Sequence, residues 1–239
     1  MCGTITAPLP HPAHFRRHLT VLPSPAPDRC VMVLIRHGAT EANIQHPPIL
    51  QGRGINLGLA AIGRRQAELT AEFLADYQID RLFVSPLIRA QETAAAIAAA
   101  QRGSQLIPET VPELTEVDAG NWEGRTWNEI RVTEPEAYRL FHEDASRWGY
   151  AGGENMTDVQ VRVRPIFERL LADNLGKRIA VVAHNIVNRA YLAALLNVPL
   201  IGYRAILQDN CGLNVIERHG DTITLRTLNL VPHLGKSEA

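Results

Sequence analysis

Arg36 and His37 stand side by side in front of Gly38, a cation and an imidazole placed where the chain can turn. They close the run Val31-Met32-Val33-Leu34-Ile35, whose unbroken apolar, partly β-branched character predicts a strand buried on both faces. Such a strand ends at the rim of an α/β sheet, where side chains reach a ligand. Gly38 permits a sharp turn and a close approach of backbone to an anion. The pattern recurs twice. Arg81-Leu82-Phe83-Val84 runs into Ser85-Pro86, with Arg89 one turn into the helix beyond, and the apolar stretch ending at Ala183 stops on His184. Two guanidinium groups offer forked donors that match phosphate oxygens. Two imidazoles can act as nucleophile or proton donor near neutral pH. If the three strands are parallel, their ends share one rim, and the helices leaving Ser85 and His184 present N–H groups to an anion.

The elements that must hold these residues are readable in outline. Helix is expected from Leu59 to Tyr77, and again from Leu87 to about Ala100 with Pro86 at its first position. Strand, helix and strand from 31 to 84 predict a βαβ unit, a parallel pair with a right-handed crossover. Gln105-Leu106-Ile107 reads as a short strand, residues 113 to 128 as a structured loop, and Glu134 to Arg147 as helix. Asn155 is placed to cap the next helix, with Asp158 in the capping-box position. That helix is expected to reach about Asn174, kinked or split at Pro165. A strand from Lys177 and a helix from Ile186 to Leu196 follow. Leu213 to Glu217 and Thr222 to Leu228 form an antiparallel hairpin. Residues 1 to 29 are broken by six prolines and read as an irregular arm, in which His11, His14 and His18 have little preorganisation for a metal. Residues 30 to 239 read as one domain.

Composition narrows the field. The 239 residues are 46% hydrophobic and 21% charged, with a formal net charge of -1, so no global field points to nucleic acid or a membrane surface. Any anion site must be built locally. The three cysteines, Cys2, Cys30 and Cys211, lack the spacing of a disulfide framework or a zinc site. With no apolar run of transmembrane length and no signal-peptide core, the expectation is a cytoplasmic protein.

Taken together, these blocks resemble the histidine phosphatase superfamily in its phosphoglycerate-mutase-like branch. The blocks are Arg36-His37-Gly38-Ala39-Thr40-Glu41 with Asn43, Gln51-Gly52, Gly63-Arg64-Arg65-Gln66-Ala67, Ser85 to Ala94, Leu114-Thr115-Glu116 with Gly120 to Gly124, Gly152-Gly153-Glu154, and Val181 to His184. The resemblance implies an α/β fold, a three-layer α/β/α sandwich around a mostly parallel mixed sheet with a C-terminal β-hairpin. It also implies a metal-independent phosphomonoester hydrolase, of the histidine acid phosphatase type, acting on a small phosphorylated metabolite through a phosphohistidine. In that scheme His37 attacks phosphorus, Arg36, Arg89 and His184 hold the phosphoryl oxygens, and Glu116 is the proton donor. Asn43, Gln51, Gly52 and Asn185 are the substrate-binding candidates. No metal or other cofactor is expected, and relatives of this type are often homodimers.

Three departures from the family pattern bear on the pocket. Asn56 replaces an Asp and should cap the following helix. Asn185 replaces a Gly after His184, so a side chain enters the pocket edge. Ala183 lacks a hydroxyl often found there. Trp122 is expected to pack beneath its loop rather than bind substrate, and Glu113, Asp118 and Glu123 compete with Glu116 for the acid role. Two other readings stand beside the hydrolase: a phosphoglycerate mutase, disfavoured by the Glu116 to Gly124 segment, and a non-catalytic phospho-ligand scaffold on the same fold.

Overall fold

The computed structural model describes residues 25–102 and 105–235. The arm and its three histidines therefore lie almost entirely outside the described residues. Strand β1 (Arg29–Arg36) is followed by a short helix α1 (Glu41–Ile44), helix α2 (Ala61–Leu74), β2 (Arg81–Val84) and α3 (Ile88–Ala100). Next come β3 (Pro108–Thr110), α4 (Trp127–Thr133), α5 (Pro135–Glu143) and α6 (Met156–Ala172). The chain closes with β4 (Arg178–Ala183), α7 (Asn185–Leu195), β5 (Leu213–His219) and β6 (Thr222–Leu230).

The strands form one mixed sheet in the order β3-β2-β4-β1-β5-β6. The first four run parallel, while β5 pairs antiparallel with β1 and with β6, giving the expected C-terminal hairpin. One expectation changes here: β1 and β2 are parallel but not neighbours, because β4 lies between them. The two most apolar strands thereby take the centre, where both faces are covered.

Alternate side chains of the central strands feed two cores. Met32, Leu34, Val181 and Ala183 pack with α6 and α7, through Phe167, Leu171, Val187 and Tyr191. Val33, Ile35, Ala180 and Val182 pack with α2 and α3, through Leu74, Ala90, Ala94 and Ile97. Helices thus cover both faces, and the sheet is the middle of three layers.

Local chemistry explains where element boundaries differ from the sequence reading. The third strand is Pro108–Thr110 rather than 105–107, since pairing with β2 and not hydrophobicity selects the edge segment. The helix expected over 134–147 is Pro135–Glu143, ending earlier than expected, and it is preceded by a separate helix, Trp127–Thr133, that the sequence reading did not anticipate; Thr126 and Glu129 form a capping box for that earlier helix. Asn155 does cap α6, accepting from the Asp158 N–H at 2.8 Å, and the helix runs unsplit through Pro165. Helix α3 begins at Ile88, so Pro86 precedes it. Asn56 caps that helix by accepting from the Ile88 N–H at 2.8 Å, not the helix following it in sequence.

Candidate active site

Sheet register determines which residues meet. Arg36 pairs with Ala183 and Val84 with Val182, so the residues that follow these strands emerge together at one rim. The His37 N–H continues the ladder onto the Ala183 carbonyl at 3.1 Å. His37 and His184 consequently lie with ring centroids 5.1 Å apart, both buried. Packing at the turn leaves no room for a larger residue: a Cβ on Gly38 would come within 2.5 Å of the Gly63 carbonyl oxygen.

The hydrogen bonds assign the His37 tautomer. Its Nδ1 lies 2.7 Å from the Gly38 carbonyl, which can only accept, so Nδ1 carries the proton. Nε2 then presents a lone pair, and Arg89 Nε donates to it at 3.2 Å. Burial, reinforced by the Arg89 and Arg36 charges, holds His37 well below the ordinary imidazole value. The ring is neutral and its free nitrogen is nucleophilic. His184 is depressed for the same reasons, burial first, and its Nε2 shares a 2.6 Å hydrogen bond with Ser85 Oγ. Ser85 therefore orients an imidazole.

Arg89 is fully buried, and its guanidinium also donates to the Ile55 carbonyl at 3.1 Å and the Gly52 carbonyl at 3.0 Å. Arg36 Nη1 donates to the Gln208 carbonyl at 2.7 Å, while its Nε is buried without a protein partner among the described residues. Burial lowers the Arg36 guanidinium to about 10, still fully charged near neutral pH.

Glu116 closes the group from the loop before α4. Its carboxylate accepts from the N–H groups of Val117 at 2.9 Å, Ile186 at 3.2 Å and Val187 at 3.3 Å. It caps α7, so the amino-terminal N–H groups of that helix serve Glu116 and are not open to an anion. Those of α3 begin with one held by Asn56, and the expectation of two free helix ends is corrected on both counts. Burial raises Glu116 above the ordinary carboxyl value despite these donors. Its competitors have other work: Glu123 accepts from the Gly52 N–H at 2.7 Å and the Ile55 N–H at 2.9 Å, and Asp118 pairs with Arg53 at 2.6 Å. Glu113 is exposed.

A cavity of about 440 Å³ opens on this cluster, walled by Arg36, His37 and Glu116 among others; Arg89 and His184 adjoin His37. All four substrate-binding candidates border it, with different prospects. Asn43 uses its carbonyl oxygen on the Thr40 N–H at 3.0 Å, and its NH₂ group has no protein acceptor among the described residues. Gln51 is engaged at both ends, by Thr40 Oγ1 at 2.7 Å and by the Ile55 carbonyl at 3.2 Å. Gly52 lends its N–H to Glu123 and its carbonyl to Arg89, so it positions other groups. The Asn185 side-chain oxygen is buried and has no partner among the described residues.

The family description for the histidine phosphatase superfamily, branch 1, matches residues 32–231, from the first buried strand to beyond the hairpin. The chain belongs to that superfamily. Phosphoserine phosphatase 1 of Hydrogenobacter thermophilus is 30% identical over 206 residues, covering 86% of this chain and 94% of that protein. Among solved structures, Bacillus stearothermophilus YhfR matches with a TM-score of 0.77 and 28% identity, over 85% of this chain and 98% of that one. A mycobacterial glucosyl-3-phosphoglycerate phosphatase in complex with VO3 matches with a TM-score of 0.74 and 30% identity, over 84% of this chain and 99% of that one. Two of these three carry a phosphatase activity in their names, and the mixed sheet with its C-terminal hairpin is the histidine phosphatase fold.

Several residues around the histidine phosphatase cluster escaped sequence reasoning. Gln208 anchors Arg36 and is itself fixed by Asn188 at 3.1 Å and Asn214 at 2.9 Å. Asn210 donates to the His37 carbonyl at 2.9 Å. A polar run just before a buried strand was the available signal, since buried amides need each other as partners. Arg189, Arg204, Tyr150 and Tyr203 also border the cavity. Only Arg189 had a usable cue, being four residues beyond Asn185 on the same helix face.

Trp122 is fully buried, as expected, with its Nε1 donating to Glu134 at 2.9 Å. Among the described residues no helix is long and apolar enough to cross a membrane, and no group of three His, Cys, Asp or Glu could hold a metal ion.

Proposed function

We propose that this protein is a phosphomonoester hydrolase that works through a phosphohistidine on His37 and acts on a small phosphorylated metabolite. The observation carrying this reading is the His37 tautomer: Nδ1–H is fixed on the Gly38 carbonyl and the Nε2 lone pair lies against Arg89. Phosphate oxygens would take over donors of Arg36 and Arg89, with the Asn43 NH₂ group as a further contact. Positive charge for the transition state comes from the two guanidinium groups, which makes a metal unnecessary to the scheme. The phosphorus–oxygen bond to the leaving group breaks as the Nε2–phosphorus bond forms, and Glu116 protonates the departing oxygen. The same carboxylate then takes a proton from the water that splits the phosphohistidine.

Both perturbed groups favour this division of labour. With ordinary values of 6.5 for His37 and 4.5 for Glu116, no pH would hold the first mostly neutral and the second mostly protonated. Lowering the imidazole and raising the carboxyl moves both groups toward such a window. The test is a panel of phosphorylated metabolites assayed in EDTA, with His37→Ala as control. Phosphate release abolished by roughly 10⁴-fold or more in the variant is expected. Release that depends on an added divalent ion, or that survives in His37→Ala, would refute the reading.

A further inference from the structure

One loop, residues 208–212 just before β5, clasps Arg36 and His37 by backbone and side chain together. The Gln208 carbonyl accepts from Arg36 Nη1 at 2.7 Å, the Cys211 N–H donates to the Arg36 carbonyl at 3.0 Å, and Asn210 Nδ2 donates to the His37 carbonyl at 2.9 Å. Among the described residues the Gln208 carbonyl is the one hydrogen-bond partner of the Arg36 guanidinium, whose Nε is buried without any. The direction of the guanidinium therefore depends on where that carbonyl is held.

Buried amides hold it. Gln208 and Asn214 form a reciprocal pair: Gln208 Nε2 donates to Asn214 Oδ1 and Asn214 Nδ2 donates to Gln208 Oε1, both at 2.9 Å. Asn188 of α7 adds a donation to Gln208 Oε1 at 3.1 Å. Asn214 fastens the pair to the sheet, because its Nδ2 also donates to the Leu34 carbonyl at 3.1 Å, two residues before Arg36. Its Oδ1 accepts from the Asn229 N–H at 3.0 Å, where the β5–β6 register shifts. Asn229 in turn holds the neighbouring Asp209, accepting from its N–H at 2.8 Å and donating to its carboxylate at 2.7 Å. Asn188, Gln208 and Asn214 are all buried. Apolar side chains of like shape could fill such a space with little loss of stability, so stability alone does not account for three amides here.

We infer that Gln208 and Asn214 are positioning residues for the phosphoryl grip: their amide pair sets the Gln208 carbonyl, which holds one end of the Arg36 guanidinium and so orients its remaining donors. The inference rests on the phosphatase reading, in which Arg36 takes phosphate oxygens. Arg36 borders the cavity and neither amide does, so both act through the arginine and not on the substrate. Misplacing a binding group by about 1 Å costs on the order of 10²-fold. Loss of the amide pair leaves the Cys211 and Asn210 contacts in place, so a smaller shift, with an effect of about tenfold, is expected.

The probes are p-nitrophenyl phosphate as substrate and orthovanadate as a stand-in for the phosphoryl group. Gln208→Met keeps the side-chain length and the backbone carbonyl, and leaves the Asn214 contacts to Leu34 and Asn229 intact; Asn214→Ala removes the other half of the pair. Each should raise KM and the orthovanadate inhibition constant about tenfold. Both constants are independent of the fraction folded, so a destabilised variant still reports. Asn174→Ala is the control for a merely structural role. That amide is equally buried at the opposite end of β2, donating to the Leu170 carbonyl at 2.8 Å and accepting from Arg81 at 3.0 Å. Its loss should lower the denaturation midpoint and leave both constants unchanged. In an Arg36→Met background, Gln208→Met should change kcat/KM by less than about twofold, because its effect passes through the guanidinium. Constants within twofold of the wild type in both amide variants, or losses that multiply in full with Arg36→Met, overturn the inference while wild-type turnover leaves the phosphatase reading intact. Failure of the wild-type protein to turn over p-nitrophenyl phosphate or any phosphorylated metabolite would defeat that reading itself.

Discussion

The two ends of the cavity are built on opposite plans. Around His37, the polar groups are mostly answered from within: Nδ1 by Gly38, Arg89 by two loop carbonyls and an imidazole, Glu116 by three N–H groups. At the Arg204 end, the buried Arg204 Nη2 has no partner among the described residues. The first end sits on strand termini in register; the second sits on a 3₁₀ turn, a loop and the second turn of a helix. The difference teaches a division of roles. On the proposed reading, the groups that would act on any phosphoryl group are preorganised by the sheet, whereas the Arg204 end is set by packing between helices and loops.

The largest expected effect comes from breaking the answered end. Arg89→Met removes a phosphate donor and orphans the Gly52 and Ile55 carbonyls, so kcat/KM should fall roughly 10²–10³-fold on every substrate alike. A loss confined to some substrates would erase the distinction between the ends. Glu116→Gln should lower kcat by roughly 10²-fold or more on alkyl phosphates and much less on p-nitrophenyl phosphate, whose leaving group needs no proton. The sign of its pH dependence follows from the raised carboxyl: activity falls as pH rises through that value, because the acid form is lost. The low-pH limb belongs to His37 and lies well below 6.5, since protonation there removes the nucleophile. Glu116→Gln should abolish the high-pH limb and keep the low one, as kcat/KM profiles would record.

Much of the answered end was legible because it is local. An apolar run that stops on Arg-His, Ser or His places those residues on a rim, provided only that the strands are parallel. The strand order was not legible: β4 comes late in the chain, and its insertion between β1 and β2 reflects the pairing of the most apolar strands with each other. Nor could spacing reveal that Glu116 caps α7, which depends on contacts seventy residues apart. Tyr150, Tyr203 and Arg204 lie in segments without periodicity, and their convergence depends on how the chain packs between α5, α6 and α7. Asn56 illustrates the reverse. Its capping chemistry was read correctly and its helix was not, because an Asn side chain serves whichever helix end the fold brings near.

Asn185 borders the cavity with an oxygen that has no partner among the described residues, and it distinguishes the two ends more finely. Asn185→Gly should change relative kcat/KM among phosphorylated metabolites by roughly tenfold, with turnover of p-nitrophenyl phosphate altered less. An unchanged profile would remove Asn185 from substrate recognition. The smallest effect on chemistry is expected outside both ends. Trp122→Phe loses the Glu134 hydrogen bond and leaves a void in a packed aromatic cluster, which should lower unfolding free energy by about 1–3 kcal/mol. Chemical denaturation would register that loss, and kcat at a temperature where the variant remains folded should stay within about twofold of the wild type.

The central claim is that His37 Nε2 takes the phosphoryl group, and rapid quenching of the Glu116→Gln protein with ³²P-labelled p-nitrophenyl phosphate, whose leaving group needs no proton, followed by peptide mapping, addresses it directly. Slowed hydrolysis should let an acid-labile, alkali-stable label accumulate on the peptide carrying His37. Label on the peptide carrying His184, or hydrolysis with no covalent label at any quench time, would contradict the account.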